Sequence, residues 1–222
     1  MCGRFTRKET IKQLAEQLGL KILPPLSPRY NIAPSQLVAC VRINLEIHQR
    51  ECLKLKWGLV PSWAKDPSIG NKLINARGET VAEKPAFRRA FKQQRCLVLA
   101  DGFYEWKWEG KTKQPYYIRF KDNRLFAFAG LWERWEKQTP ALESCALITT
   151  GPNMTMTPIH HRMPVILAAK DYDDWLDPSL HIIAQLNALL RPFPPEEMEA
   201  FPVSPIVNNP ENDQPECAQL VQ

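Results

Sequence analysis

No stretch of this sequence approaches the roughly 18 consecutive apolar residues that a membrane-spanning helix needs. The first residues, with Arg4, Arg7, Lys8 and Glu9, stand where a signal peptide would carry an apolar run. Membrane insertion and secretion are therefore not expected, and the reading is a soluble, cytoplasmic protein. Cysteine pairs are missing as well. The six cysteines, at positions 2, 40, 52, 96, 145 and 217, form no C-x-x-C spacing and have no histidines at zinc-finger distance. Free thiols, no structural metal and no cofactor are expected. There is no internal repeat and no interdomain linker, and 222 residues at 44% hydrophobic suffice for one domain with its own core. A strong excess of one charge is lacking too, because 29 basic residues against 24 acidic ones leave a net charge of only +5. That balance leans toward a polyanionic partner without marking a dedicated nucleic-acid coat, and the basic run "RRAFKQQR" (88–95) reads more readily as a solvated face.

What is present is a series of short β-type runs: "LVACVRI", "RCLVLADGFYEW", "PYYIRF", "LFAFAGLWERW", "CALITT" and "MPVILA". Rich in β-branched and aromatic residues and punctuated by Gly, Pro, Asn and Asp, they predict strands. The fold class is α+β, a mostly antiparallel sheet or barrel-like core with a few peripheral helices. Thr6 followed by Glu9 forms a capping box, and Ile11, Leu14 and Leu18 keep helical spacing until Gly19, which predicts a helix over 7–18. Further helices are expected over about 84–93 and 179–190. Beyond 191 the chain turns to proline and polar residues, so residues 1–207 are expected to form the domain and 208–222 a flexible tail.

Several segments carry more functional groups than a core needs. The chain opens "MCGRF". If the initiator methionine is trimmed, Cys2 presents a thiol of pKa about 8.5 and an α-amine of about 8 on one residue; the bland alternative is an idle cysteine at a frayed end. Cys40, Cys96 and Cys145, each inside an apolar run, read as small core residues. "LINARGET" sets Asn75, Arg77 and Glu79 at alternate positions, one face of an extended segment, either a working stripe or an exposed edge. "ADGFYEW" places Glu105 between Tyr104 and Trp106, where a carboxylate walled by aromatics would titrate high enough for proton transfer; it could equally face solvent. "PIHHRMPV" supplies His160, His161 and Arg162, and this chain has only four histidines. In "WGLVPSW", Trp63 either stacks on a base or lids the core.

Taken in order, "MCGRF", "RYNIAPSQ", "WGLVPSW", "NARGET", "ADGFYEW", "QPYYI", "AGLW" and "HHRMPV" give a chain that resembles the SOS-response-associated peptidase family, whose members process abasic sites in DNA. The resemblance runs from residue 1 to about 207. It implies a covalent thiazolidine between Cys2 and the aldehyde of an abasic site in single-stranded DNA, with Asn75, Glu105 and His160 as active-site partners. Arg4, Arg77 and Arg162 fall where the family binds phosphates, and Pro34, Trp63 and Trp106 are the candidates for bending or unstacking the strand. The family name implies a peptidase activity, which is met by removal of Met1, and a lyase activity is the further option. The expected partner is abasic single-stranded DNA, met by a monomer that joins the nucleoid when DNA-bound.

One departure stands out. Family members commonly read His-Asp-Arg where this chain has His160-His161-Arg162. In an extended segment the two imidazoles would point to opposite sides, and without the aspartate His160 would titrate lower than in such relatives. Two other readings compete: a glutamine amidohydrolase with an N-terminal cysteine, whose R-G-P-D and N-G-E motifs are absent here, and a non-covalent single-strand binder with Cys2 idle.

Overall fold

The computed structural model describes residues 2–8, 15–16, 18–20, 22–44 and 46–221. Its strands run in chain order as β1 (Arg4–Arg7), β2 (Arg29–Ile32), β3 (Leu37–Asn44), β4 (Gln49–Trp57), β5 (Asn75–Arg77), β6 (Arg95–Ala100) and β7 (Gly102–Glu109). After them come β8 (Thr112–Phe120), β9 (Phe126–Trp135), β10 (Leu142–Thr150), β11 (Met163–Pro164), β12 (Ile166–Leu167) and β13 (Met198–Pro202). All six β-type runs of the sequence contribute strands.

Strands β4, β3, β6 and β9 follow one another as antiparallel neighbours, and β9 then pairs β10 antiparallel. β10 returns to β4 in parallel through Ser144 opposite Lys56 and Cys145 opposite Trp57, so the ring closes into a small barrel. Closure removes sheet edges and buries the strands deeply, which is why β6, "RCLVLA", is buried at every position. Cys40, Cys96 and Cys145 lie in this interior as the apolar runs around them predict. The short strands β5 and β11 add to β10, and β12 adds to β9. A second sheet, in the order β13-β8-β7-β1-β2, packs against the barrel. Phe5 of β1 joins the two, meeting Trp57 at 5.1 Å and Phe128 at 5.7 Å between ring centroids, both edge-to-face. Truncating so buried an aromatic typically costs about 3–5 kcal/mol.

Helices are short. α1 spans Arg88–Gln93, with turns leading into it from Lys84; α2 is Tyr172–Leu176, which the sequence reading did not anticipate; α3 is Ile183–Ala188. The last starts later than 179 because the Asp177 carboxylate accepts hydrogen bonds from the Ser179 amide and hydroxyl, holding that stretch in a turn.

The helix expected over 7–18 needs correcting at its start. Arg7 belongs to β1, and Thr6, the expected cap, sits in the same strand with its hydroxyl bonded to Asp101 and 2.7 Å from the Tyr117 hydroxyl. Glu9, Ile11 and Leu14 lie outside the described residues. The predicted stop at Gly19 is present: its φ is +63°, its amide bonds Glu16 O at 3.1 Å, and Leu20 N bonds Ala15 O at 2.9 Å, a Schellman ending that favours glycine.

Residues 208–221 depart from the flexible tail expected of them. Asp213 pairs with Arg29 and accepts the Tyr30 and Asn31 amides, while Asn31 Nδ2 reaches the carbonyls of Val207, Asn209 and Asn212. Cys217 is fully buried, and Val203 bridges Leu220. The polar composition of this segment satisfies the free edge of β2 rather than water.

Candidate active site

The antiparallel register of β1 on β7 sets the site. Arg4 lies opposite Tyr104, Phe5 opposite Phe103 and Thr6 opposite Gly102. Continued past the end of β1, the same register carries Gly3 and Cys2 alongside Glu105 and Trp106. It holds because Gly102 has no side chain: a Cβ there would stand 2.1 Å from the Tyr117 hydroxyl that Thr6 meets. From the barrel side, β5 runs parallel to β10 and delivers Asn75 opposite Leu147. Asn75 Nδ2 then donates to the Cys2 carbonyl at 2.7 Å, and its Oδ1 is buried without a hydrogen-bond partner among the described residues. His160 enters from the turn-rich segment before β11, its Nδ1 3.9 Å from Glu105 Oε1 and accepting the Arg162 amide at 3.1 Å. Cys2, Asn75, Glu105 and His160, separated by up to 158 positions in the sequence, thus lie together.

Burial dominates the electrostatics. Cys2 is fully buried, and burial first, then the Glu105 carboxylate, push its thiol far above the ordinary range. The partly ionised thiol that a free cysteine would offer is absent here; the sulfur is a protonated thiol that needs a base when it reacts. Burial likewise raises Glu105, so its proton is available closer to neutrality than that of a solvated glutamate. His160 is lowered, again chiefly by burial, and is a neutral imidazole at pH 7. The site therefore holds a carboxyl that keeps its proton to higher pH and an imidazole that stays neutral to lower pH than in water. Among the described residues no group of three or more His, Cys, Asp or Glu side chains is arranged to hold a metal ion.

The two histidines do not diverge. The chain is in turns from 154 to 159 and bent at 161 rather than extended, so the imidazoles of His160 and His161 stack at 4.4 Å between centroids. Both line a cleft of about 560 Å³ whose floor includes Glu105. His161 is exposed, and its own pKa is lowered chiefly because protonating both stacked rings would set two like charges side by side.

The residues expected to meet DNA have diverse settings. Arg77 is exposed, and its guanidinium makes no hydrogen bond or ion pair among the described residues. Arg162 is occupied: its two terminal nitrogens hold Glu79 at 2.5 and 2.9 Å, and one also reaches Thr149 O at 2.6 Å. The single face expected of Asn75, Arg77 and Glu79 is broken: a 3-10 turn over Gly78–Thr80 ends that strand and carries Glu79 to Arg162 instead. Arg4 turns its guanidinium to Asn31 Oδ1 at 2.8 Å and to the carbonyls of Val207 at 2.6 Å and Asn208 at 3.1 Å. Trp106 is tied to the same segment through Asn208 Oδ1 at 2.8 Å.

Pro34 and Trp63 belong to adjoining loops. Pro34 is half-buried in a turn pinned to Trp57, with Ser35 N bonding Trp57 O at 2.7 Å. Trp63 is 56% exposed, on a loop whose Ser62 amide is held by the buried Glu133 at 3.0 Å. Sequence reasoning passed over Glu79 as a partner of Arg162, and Trp108 and Lys113, which line the cleft with the histidines. A carboxylate two residues from Arg77 and a second tryptophan in "EWKW" were the available signals.

A small closed barrel thus carries a second sheet, and where the two meet Cys2 sits against the Asn75 amide and within the field of the Glu105 carboxyl, which in turn faces His160. The sequence pattern described as SOS response associated peptidase (SRAP) matches residues 1–210, and the chain belongs to that family. Similar proteins include the abasic site processing protein YoqW of Bacillus subtilis, 47% identical over 226 residues with 99% of each chain covered. The abasic site processing protein HMCES of Xenopus tropicalis is 35% identical over 225 residues, covering 87% of this chain and 66% of that one. Among solved structures, a Bacteroides thetaiotaomicron protein superposes with a TM-score of 0.89 at 29% identity over the whole of both chains.

Proposed function

We propose that this protein processes abasic sites in single-stranded DNA by capturing them covalently on Cys2 after removal of Met1. The observation that carries the reading is the convergence on Cys2: Asn75 bonds its carbonyl at 2.7 Å, and Glu105 stands 3.9 Å from His160 beside it. Relatives that share almost the whole chain bear the name abasic site processing protein.

An abasic sugar is mostly a closed hemiacetal. Glu105 donates the proton that opens it to the aldehyde. The freed α-amine of Cys2 adds to the carbonyl carbon and water departs, leaving an imine. The thiol then adds across the C=N bond, sulfur to carbon and proton to nitrogen, and closes a five-membered thiazolidine. Because amine and thiol sit on one residue, the closure is intramolecular. His160, neutral at working pH, relays protons during imine formation and reversal, and the unpartnered Asn75 Oδ1 accepts from the new ring N–H. An imine alone would invite elimination and strand breakage; the ring prevents it.

The test is incubation with an oligonucleotide carrying one abasic site, followed by boiling in detergent and mass measurement. A product weighing the sum of the two less one water, absent with intact DNA and absent with Cys2→Ala, is expected. A detergent-stable product with Cys2→Ala as abundant as with wild type overturns the reading, as does glutamine hydrolysis in place of any adduct.

A further inference from the structure

We propose that the outer end of the β7–β8 hairpin is a nucleotide-binding subsite, in which Trp108 stacks the base of one nucleotide flanking the lesion and Lys113 pairs with its phosphate. This deepens the proposed function and rests on it, since an abasic residue has no base of its own and only its neighbours can be gripped by stacking.

Four observations converge on this assignment. First, Trp108 is 65% exposed, so it covers no core, yet it lines the same cleft as Glu105 and His160. Second, Trp108 and Lys113 are direct cross-strand partners, and the Lys113 ammonium lies 4.6 Å from the indole centroid. A cation over a ring is the usual companion of a stacking platform for single strands. Third, Lys113 has no carboxylate partner among the described residues, whereas its neighbour on the other strand, Lys107, pairs with Glu109 at 3.7 Å. The free cation is thus on the cleft side. Fourth, the cleft of about 560 Å³ lies within the ~300–1,000 Å³ that small ligands occupy and is open enough to admit a base beside the reacting sugar. Pro152 and Ile159 add apolar surface to its lining, against which a base can rest.

The test uses the full chain and oligonucleotides bearing a tetrahydrofuran lesion, which cannot react, so that equilibrium binding is read. On each side in turn, the flanking base is removed by placing a second tetrahydrofuran. For wild type, deletion on one side weakens binding about 5- to 20-fold, and that side names the occupant. Trp108→Ala binds more weakly by the same factor and no longer responds to the deletion, while Trp108→Phe restores most of the response. Lys113→Gln keeps the response to the base but lowers the slope of log affinity against log salt by about 0.7.

The proposal falls if Trp108→Ala binds like wild type, or if its loss is the same with and without the flanking base. Adduct formation by wild type on reactive abasic DNA is scored separately: adduct without base dependence overturns this subsite alone. A protein that neither binds nor reacts overturns the proposed function as well.

Discussion

Replacing Glu79 with glutamine should make this protein bind single-stranded DNA more tightly. The Arg162 guanidinium is occupied by Glu79 through two bonds of 2.5 and 2.9 Å, and a phosphate that takes this fork must first displace the carboxylate. The Glu79 side chain is 54% exposed, so the pair is screened by water and is worth only about 0.2–1 kcal/mol despite its bidentate geometry. Removing that competitor should tighten binding roughly 1.4- to 5-fold at low salt. The salt response should change as well, because an Arg162 no longer neutralised internally adds about 0.7 to the slope for a single strand. Mild acid is no substitute for the mutation. The hydrogen bond from Arg162 holds the Glu79 carboxyl below its usual 4.5, so the pair stays charged at neutral pH and its stabilisation is lost only as pH falls through that depressed value. Fluorescence titration of Glu79→Gln and wild type with a tetrahydrofuran oligonucleotide across a range of salt concentrations reads both quantities. Equal affinity with an unchanged slope would refute the exchange and remove Arg162 from the phosphate path.

Arg77→Ala should lower the salt slope by about 0.7 with no loss of thermal stability, whereas Arg4→Ala should lower stability by about 2 kcal/mol or more, since its guanidinium holds two carbonyls and Asn31; melting curves and salt titrations separate the two. Glu105→Gln should slow adduct formation on natural abasic sites more than on an open-chain aldehyde, because the amide has no proton to open the sugar. The same variant should melt higher than wild type at neutral pH: burial raises the Glu105 pKa, so the folded state loses stability as pH rises from about 4.5 through the raised value, and the difference should vanish in acid. His161→Asp should move the His160 titration modestly upward by placing a carboxylate beside it while leaving adduct yield intact, and His160→Ala should impair cross-link reversal; an NMR pH titration and reversal rates over pH 5–9 check both.

Local pattern determined a good deal of this protein. Alternation and β-branched runs predict the strands because side chains on a strand meet their environment two residues apart, and that signal is present in each segment by itself. The stop at Gly19 is equally local, a left-handed backbone position that suits glycine. The order of the short motifs was enough to point to the family, whose pattern matches residues 1–210.

Tertiary structure decided the rest. Closure of the barrel depends on Trp57 meeting Cys145, a parallel pairing of strands far apart in sequence that no window contains. An arginine announces a cation but not its anion: Arg4 turned to the carbonyls of Val207 and Asn208 and Arg162 to Glu79, while Arg77 stayed in solvent, and only packing distinguishes the three. His160 and His161 stack because the backbone before them turns, so a rule for extended chains gave the wrong side. Residues 208–221 looked too polar to fold because composition counts apolar burial; what holds them is a set of buried hydrogen bonds from Asn31 and an ion pair of Asp213 with Arg29, partners supplied by a strand some 180 residues earlier. The Cys2 thiol shows the same division, for its type is written in the second position of the chain, but its proton is held by the desolvation that the surrounding fold imposes.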